Sequence, residues 1–115
     1  MSHMEEVERR SAALYKAPRV SLDDIKAAIA CRYDLRADEA VSGMSPPAPV
    51  VDPLKVLSIC ILVMKNGFTV IGKSAPASPD NFDAEYGKTL AYEDAIRQVW
   101  PLMGFSLRDR LAAAA

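Results

Sequence analysis

Seven charged side chains fall between residues 73 and 94: Lys73, Asp80, Asp83, Glu85, Lys88, Glu93 and Asp94. Paired carboxylates at such density are what general acid–base catalysis or a magnesium site requires. The separation of Asp83 from Glu93 matches no coordination pattern, however, and acidic residues early in a helix already complement the helix dipole. Catalysis and metal binding are therefore not assigned to them. A small anionic ligand is the better fit, since Lys73 and Lys88 flank a helix start whose free amides, near Ser78 and Asn81, attract negative charge. Tyr92 adds aromatic surface, and Asp83 with its acidic neighbours works against an anion. The candidate ligand- or partner-binding set is Lys73, Ser78, Asn81, Asp83, Lys88 and Tyr92.

Much of the usual catalytic equipment is missing. The one histidine, His3, lies in "MSHM", which reads as a cloning-vector remnant. Triads that need histidine, and histidine-ligated zinc, lose their support. Cys31 and Cys60 sit in apolar patterns, where a thiol is expected to be a small buried hydrophobe, and they form no CxxC pair. The five glycines are too scattered for a phosphate-binding loop or a dinucleotide fingerprint. No catalytic residue, metal or cofactor is expected.

Those side chains need elements to position them. Residues 5–16 are expected as a frayed helix or arm, so residues 1–19 count as remnant plus arm and residues 20–115 as a single domain. Ser21 with Asp24 forms a capping-box signal, and Leu22, Ile25 and Ile29 at helical spacing predict a helix over 22–33. A helical turn is expected at 37–41, then a Pro-rich loop near 43–53.

"VLSICILVMK" has almost no polar face. Asp52-Pro53 could start a helix here and Gly67 end one, but a helix apolar all round needs burial on every side, so a strand is favoured and the helix stays open as the alternative. Asn66-Gly67 followed by "FTVIGKS" predicts a β-hairpin with a type I′ turn. Gly72 is read as a strand bend or bulge. A long helix should begin at Ser78–Pro79 or at Asp80, with Phe82, Tyr86, Leu90, Ile96 and Val99 on one face, and end at Trp100–Pro101. Gly104 is expected to make a turn before a short C-terminal helix capped by Ser106. Gly87, inside the long helix at a cost of about 1 kcal/mol relative to alanine, points to close packing, a kink or a ligand. The expected fold class is α+β: N-terminal helix, hairpin, long helix and short terminal helix. Asn66, Gly67, Gly72, Phe82, Gly87, Trp100 and Gly104 are its structural residues. Since two strands are marginal alone and leave open edges, oligomerisation should complete the fold.

Fourteen basic against fifteen acidic side chains give a formal charge of −1 over 115 residues. That balance disfavours nonspecific nucleic-acid binding, and the basic group Arg9, Arg10, Lys16 and Arg19 reads as a solvated helix face. No run is long and apolar enough for a membrane span, and no signal peptide is recognisable, so a cytosolic setting is expected.

The order of motifs in "KNGFTVIGKSA" and "SPDNFDAEYGKTLAYEDAIRQVWPLMGFSLRDRL", with "DIKAAIACRYDLRADEAV" upstream, resembles a family of small tailed-phage proteins named for gene product forty-nine of one phage and gene product sixty-six of another. Met103, Lys73 and Tyr86 stand where that pattern has glutamate, an acidic and an aliphatic residue. The resemblance implies phage or prophage origin and expression in the cytoplasm of a bacterial host, and it transfers no catalytic residue. With it, the expected function is non-enzymatic: an accessory protein binding a host protein in takeover or counter-defence. The alternative is an oligomer that sequesters a nucleotide immune signal.

Overall fold

The computed structural model of the protein describes residues 3–14 and 17–115. Its order is α1 (His3–Leu14), α2 (Leu22–Ala28), β1 (Ile29–Arg36), α3 (Ala37–Ser42), a 3-10 turn (Asp52–Val56), β2 (Ser58–Met64), β3 (Thr69–Ser74), a second 3-10 turn (Pro79–Asn81) and α4 (Ala84–Ala114). Three antiparallel strands in the order β1-β2-β3 form one sheet, so the fold is α+β.

The helix expected over 22–33 stops at Ala28. Its start is as read: the Ser21 hydroxyl accepts from the Asp24 N–H, and the Asp24 carboxylate accepts from the Ser21 N–H. Residues 29–36 are a strand because "CRYDLR" alternates. Cys31, Tyr33 and Leu35 pair with Val63, Ile61 and Ile59, while Arg32 and Asp34 take the opposite side. Period two outweighs the weak helical spacing once β2 supplies a partner.

The hairpin is present, but its turn is not type I′. Gly67 alone has positive φ, at 89°. The Gly67 N–H donates to the Met64 carbonyl and the Met64 N–H to the Phe68 carbonyl, closing a three-residue loop with glycine in the left-handed position. Asn66 earns its place differently: its Oδ1 accepts from the Phe68 N–H at 2.9 Å.

The long helix runs unbroken to Ala114, through Pro101 and Gly104, with no turn and no separate terminal helix. Proline forfeits a helical hydrogen bond. The neighbouring side chains hold the chain in register nonetheless. Val99 is buried, Trp100 and Met103 pack on the core, and Trp100 Nε1 donates to the Val20 carbonyl at 3.2 Å. Ser106 caps nothing; its hydroxyl accepts from Arg110.

The core lies between α4 and one sheet face, with Cys60, Leu62, Met64 and Val70 meeting Ala91, Ala95, Ile96 and Val99, closed by Leu22 and Ile25 of α2. The buried stripe of α4 is Gly87, Ala91, Ala95, Ile96 and Val99, and Tyr86 is exposed rather than on that face. Small residues let the helix backbone descend onto the sheet. A Cβ at Gly72 would collide with the Ala91 carbonyl and lie 2.8 Å from the Ala95 Cβ, so Gly72 is a site of close helix approach. Gly87 is equally crowded against the Ser58 hydroxyl. Cys60 is buried as expected, whereas Cys31 is exposed on the sheet surface, and both thiols are free.

Candidate functional site

Residues paired directly across an antiparallel sheet point to the same side. With Cys60, Leu62 and Gly72 under α4, the other face is built from Cys31, Tyr33 and Leu35 of β1, Ile59, Ile61 and Val63 of β2, and Thr69, Ile71 and Lys73 of β3. Among the described residues no helix packs on this face as α4 does on its own side. Tyr33 is 54 % and Ile71 58 % exposed. The only ionised side chain among these nine is Lys73, at one corner. Sequence reasoning missed this surface, because reading 29–33 as helix left β2 without its neighbour. The alternation in "CRYDLR" was the signal.

The candidate ligand residues are distributed over several places. Asn81 and Asp83 line one cavity of about 260 Å³ together with Phe82, Gly87 and Ser58. Asp83 is the N-cap of α4, its Oδ1 accepting from the Tyr86 N–H at 3.0 Å. Ser78 precedes the 3-10 turn and makes no side-chain cap. Lys88 lines a separate recess of about 170 Å³ with Asp34 and Arg36, and its Nζ lies 3.5 Å from Glu85. Lys73 is on the sheet face opposite α4, with its N–H donated to Asp94. Tyr92 lies beneath the Arg32 guanidinium, 3.9 Å from ring centroid to Cζ. Thus Asn81 and Asp83 converge, and the two lysines do not join them.

Local electrostatics follow from these partners. Hydrogen bonds from the Ser21 backbone and hydroxyl hold the Asp24 carboxyl below its ordinary range, and the Arg36 guanidinium does the same for Asp38. Burial pushes the Cys60 thiol up to about 11, making it a poor nucleophile. Burial also raises the Tyr92 phenol, against the opposing charge of Arg32. In the N-terminal segment Arg9 and Arg10 pair with Glu6, and Arg19 with Glu8, while Lys16 lies outside the described residues. Among the described residues no three His, Cys, Asp or Glu side chains converge as a metal site would need, and no helix is long and apolar enough to cross a membrane.

The family model of the phage protein (N4 Gp49/phage Sf6 gene 66) family matches residues 20–111. The chain belongs to that family. In this phage protein the matched span takes in α2, the whole sheet and α4 as far as Leu111, so the open sheet face and the cavity at Asn81 both lie within the family region. No curated protein and no solved structure matches the chain.

Proposed function

We propose that this phage protein is a non-enzymatic accessory factor that binds a host protein, in takeover or counter-defence, in the cytoplasm of the bacterial host. The observation that carries this reading is the open sheet face, apolar except for Thr69 and Lys73 and within the family region. Contiguous exposed apolar surface of this kind marks protein interaction sites. A partner with an apolar patch ringed by acidic groups would suit Tyr33, Ile61 and Ile71 with Lys73 at the rim. The exposed Cys31 has no basic neighbour among the face residues to activate it, and Cys60 is buried, which favours binding over covalent chemistry. The test is capture from host lysate by wild-type bait and by folded Ile71→Glu. Support is a polypeptide retained by the first and lost by the second; capture indifferent to the substitution, or none at low and high salt, refutes the reading.

A second reading rests on the cavity beside Asn81, Asp83 and Gly87. Its size is near the lower end for small-molecule sites. An oligomer sequestering a nucleotide signal there gains stability when ligand binds only the native state. A thermal-shift panel of cyclic nucleotides decides it, since no shift at saturation removes the members tested.

A further inference from the structure

The two edges of the sheet are treated differently. On β3 the backbone groups that point away from β2 belong to Thr69, Ile71 and Lys73, and α4 takes two of them: Gln98 Nε2 donates to the Ile71 carbonyl at 2.7 Å, and the Lys73 N–H donates to Asp94 Oδ2 at 2.9 Å. Side chains of α4 thus cap that edge between Ile71 and Lys73. On β1 the parity is set by Ala37, whose N–H donates to the Leu57 carbonyl of the chain leading into β2. Counting back in twos, Leu35, Tyr33 and Cys31 face β2, and Arg32 and Asp34 present their N–H and C=O outward. Among the described residues these outward groups have no hydrogen-bond partner, and residues 30–34 are all exposed. Natural edges are normally blunted; α4 does this for β3, whereas β1 has only its bulge between Ile29 and Cys31 and its own charged side chains, with no other element across it among the described residues.

We propose that two copies of this chain join edge to edge along β1, antiparallel and centred on Tyr33, making one six-stranded sheet. In this register Arg32 and Asp34, which already pair within one chain through Arg32 Nε donating to Asp34 Oδ1 at 3.1 Å, form backbone hydrogen-bonded pairs with Asp34 and Arg32 of the second copy, which joins the two ion pairs into one alternating cluster. Shifting the centre to Arg32 sets Arg32 against itself. Shifting it to Asp34 sets Asp34 against itself and Arg32 against Arg36. A centre on Leu35 would set Asp34 against Arg36, whose guanidinium is already held by Asp38, so charge favours the centre on Tyr33. A two-fold contact demands this self-complementarity.

The single chain is less compact than a typical monomer of its mass, with α1 burying none of its residues and Leu102, Phe105 and Leu111 of α4 exposed. It exposes 7908 Å², about a quarter more than the roughly 6,200 Å² of a monomeric protein of its mass. Its radius of gyration is 17.2 Å, against about 13 Å for a compact domain of this length. The dimer leaves the open faces of both copies free, and the inference stands apart from host binding because purified chain alone tests it.

Light scattering and sedimentation on the full chain should give about twice the 12.5 kDa chain mass. Arg32→Asp and Asp34→Arg, each placing like charges opposite one another, should weaken association at least about tenfold, and the double exchange Arg32→Asp/Asp34→Arg should restore it. In a Cys31→Ser background, Tyr33→Cys should cross-link readily on mild oxidation and Leu35→Cys should not. Opposed residues of a non-hydrogen-bonded pair have Cα atoms about 4.5 Å apart, within disulfide reach. Circular dichroism confirms that each variant is folded. A monomer at all concentrations overturns the proposal. So does a dimer indifferent to charge exchange and lacking the Tyr33→Cys cross-link, for instance one abolished by Ile71→Glu on the open face alone.

Discussion

Gly72→Ala is expected to be among the most damaging single-methyl changes available in this chain. The added carbon would meet the Ala91 carbonyl and the Ala95 amide of α4, with the Ala95 Cβ at 2.8 Å. Two of these three obstacles are helix backbone, which cannot swing aside as a side chain can, so α4 must lift by something on the order of 1 Å given ordinary carbon contact distances. A gap of that size forfeits a quarter to a half of the dispersion energy of each facing pair, and the pairs affected are those of Cys60, Leu62 and Val70 with Ala91, Ala95 and Ile96. Overpacking ordinarily costs about 1–3 kcal/mol; with rigid backbone on the far side, the upper end or slightly beyond applies. Alanine returns about 0.5–1 kcal/mol by restricting the unfolded chain. The net loss is about 2–4 kcal/mol, a large part of the 5–15 kcal/mol typical of a domain. At about 4–8 °C per kcal/mol, Tm should fall by roughly 8–30 °C. Urea and thermal unfolding followed by circular dichroism give the number, and an unchanged or raised Tm would refute the placement of α4 against Gly72.

Gly104→Ala should act in the opposite direction, raising stability by up to about 1 kcal/mol, because Gly104 is mid-helix with nothing near its missing Cβ; a loss on thermal denaturation would restore the turn that the sequence suggests there. Gly87→Ala should destabilise through the Ser58 hydroxyl, and Ser58→Ala should relieve that loss, a coupling read from a double-mutant cycle. The Asp24 carboxyl has a lowered folded pKa, so its contribution is present above its unfolded value near 4 and is lost as pH falls through the folded value. Stability of Asp24→Asn, measured by urea titration, should fall less between about pH 5 and 2 than that of wild type. Cys31 should react with a thiol reagent in the native state and Cys60 only on unfolding, given its burial and its pKa near 11; two fast thiols in folded protein would contradict the core assignment.

Local chemistry was legible wherever one short segment decides its own conformation. Ser21 and Asp24 form their capping box without help from elsewhere, Asn66-Gly67 marks a turn because only glycine takes the positive φ cheaply, and "ICILVM" favoured a strand over a helix without deciding between them. The α+β class and the family follow from such segments and their order. The tertiary structure decided what depends on a neighbour. Residues 29–36 are a strand because β2 is there to pair with them, and α4 continues through Pro101 because Val99, Trp100 and Met103 pack on either side of it. Gly72 and Gly87 mattered for the room they leave to a helix and to Ser58, distances that no local pattern encodes. For the same reason the six candidate residues near the start of α4 could be named from their types, while their dispersal, and the open sheet face on the other side, depended on strand register. Register is a relation between segments far apart in the chain, and a one-residue slip sends every side chain to the opposite face.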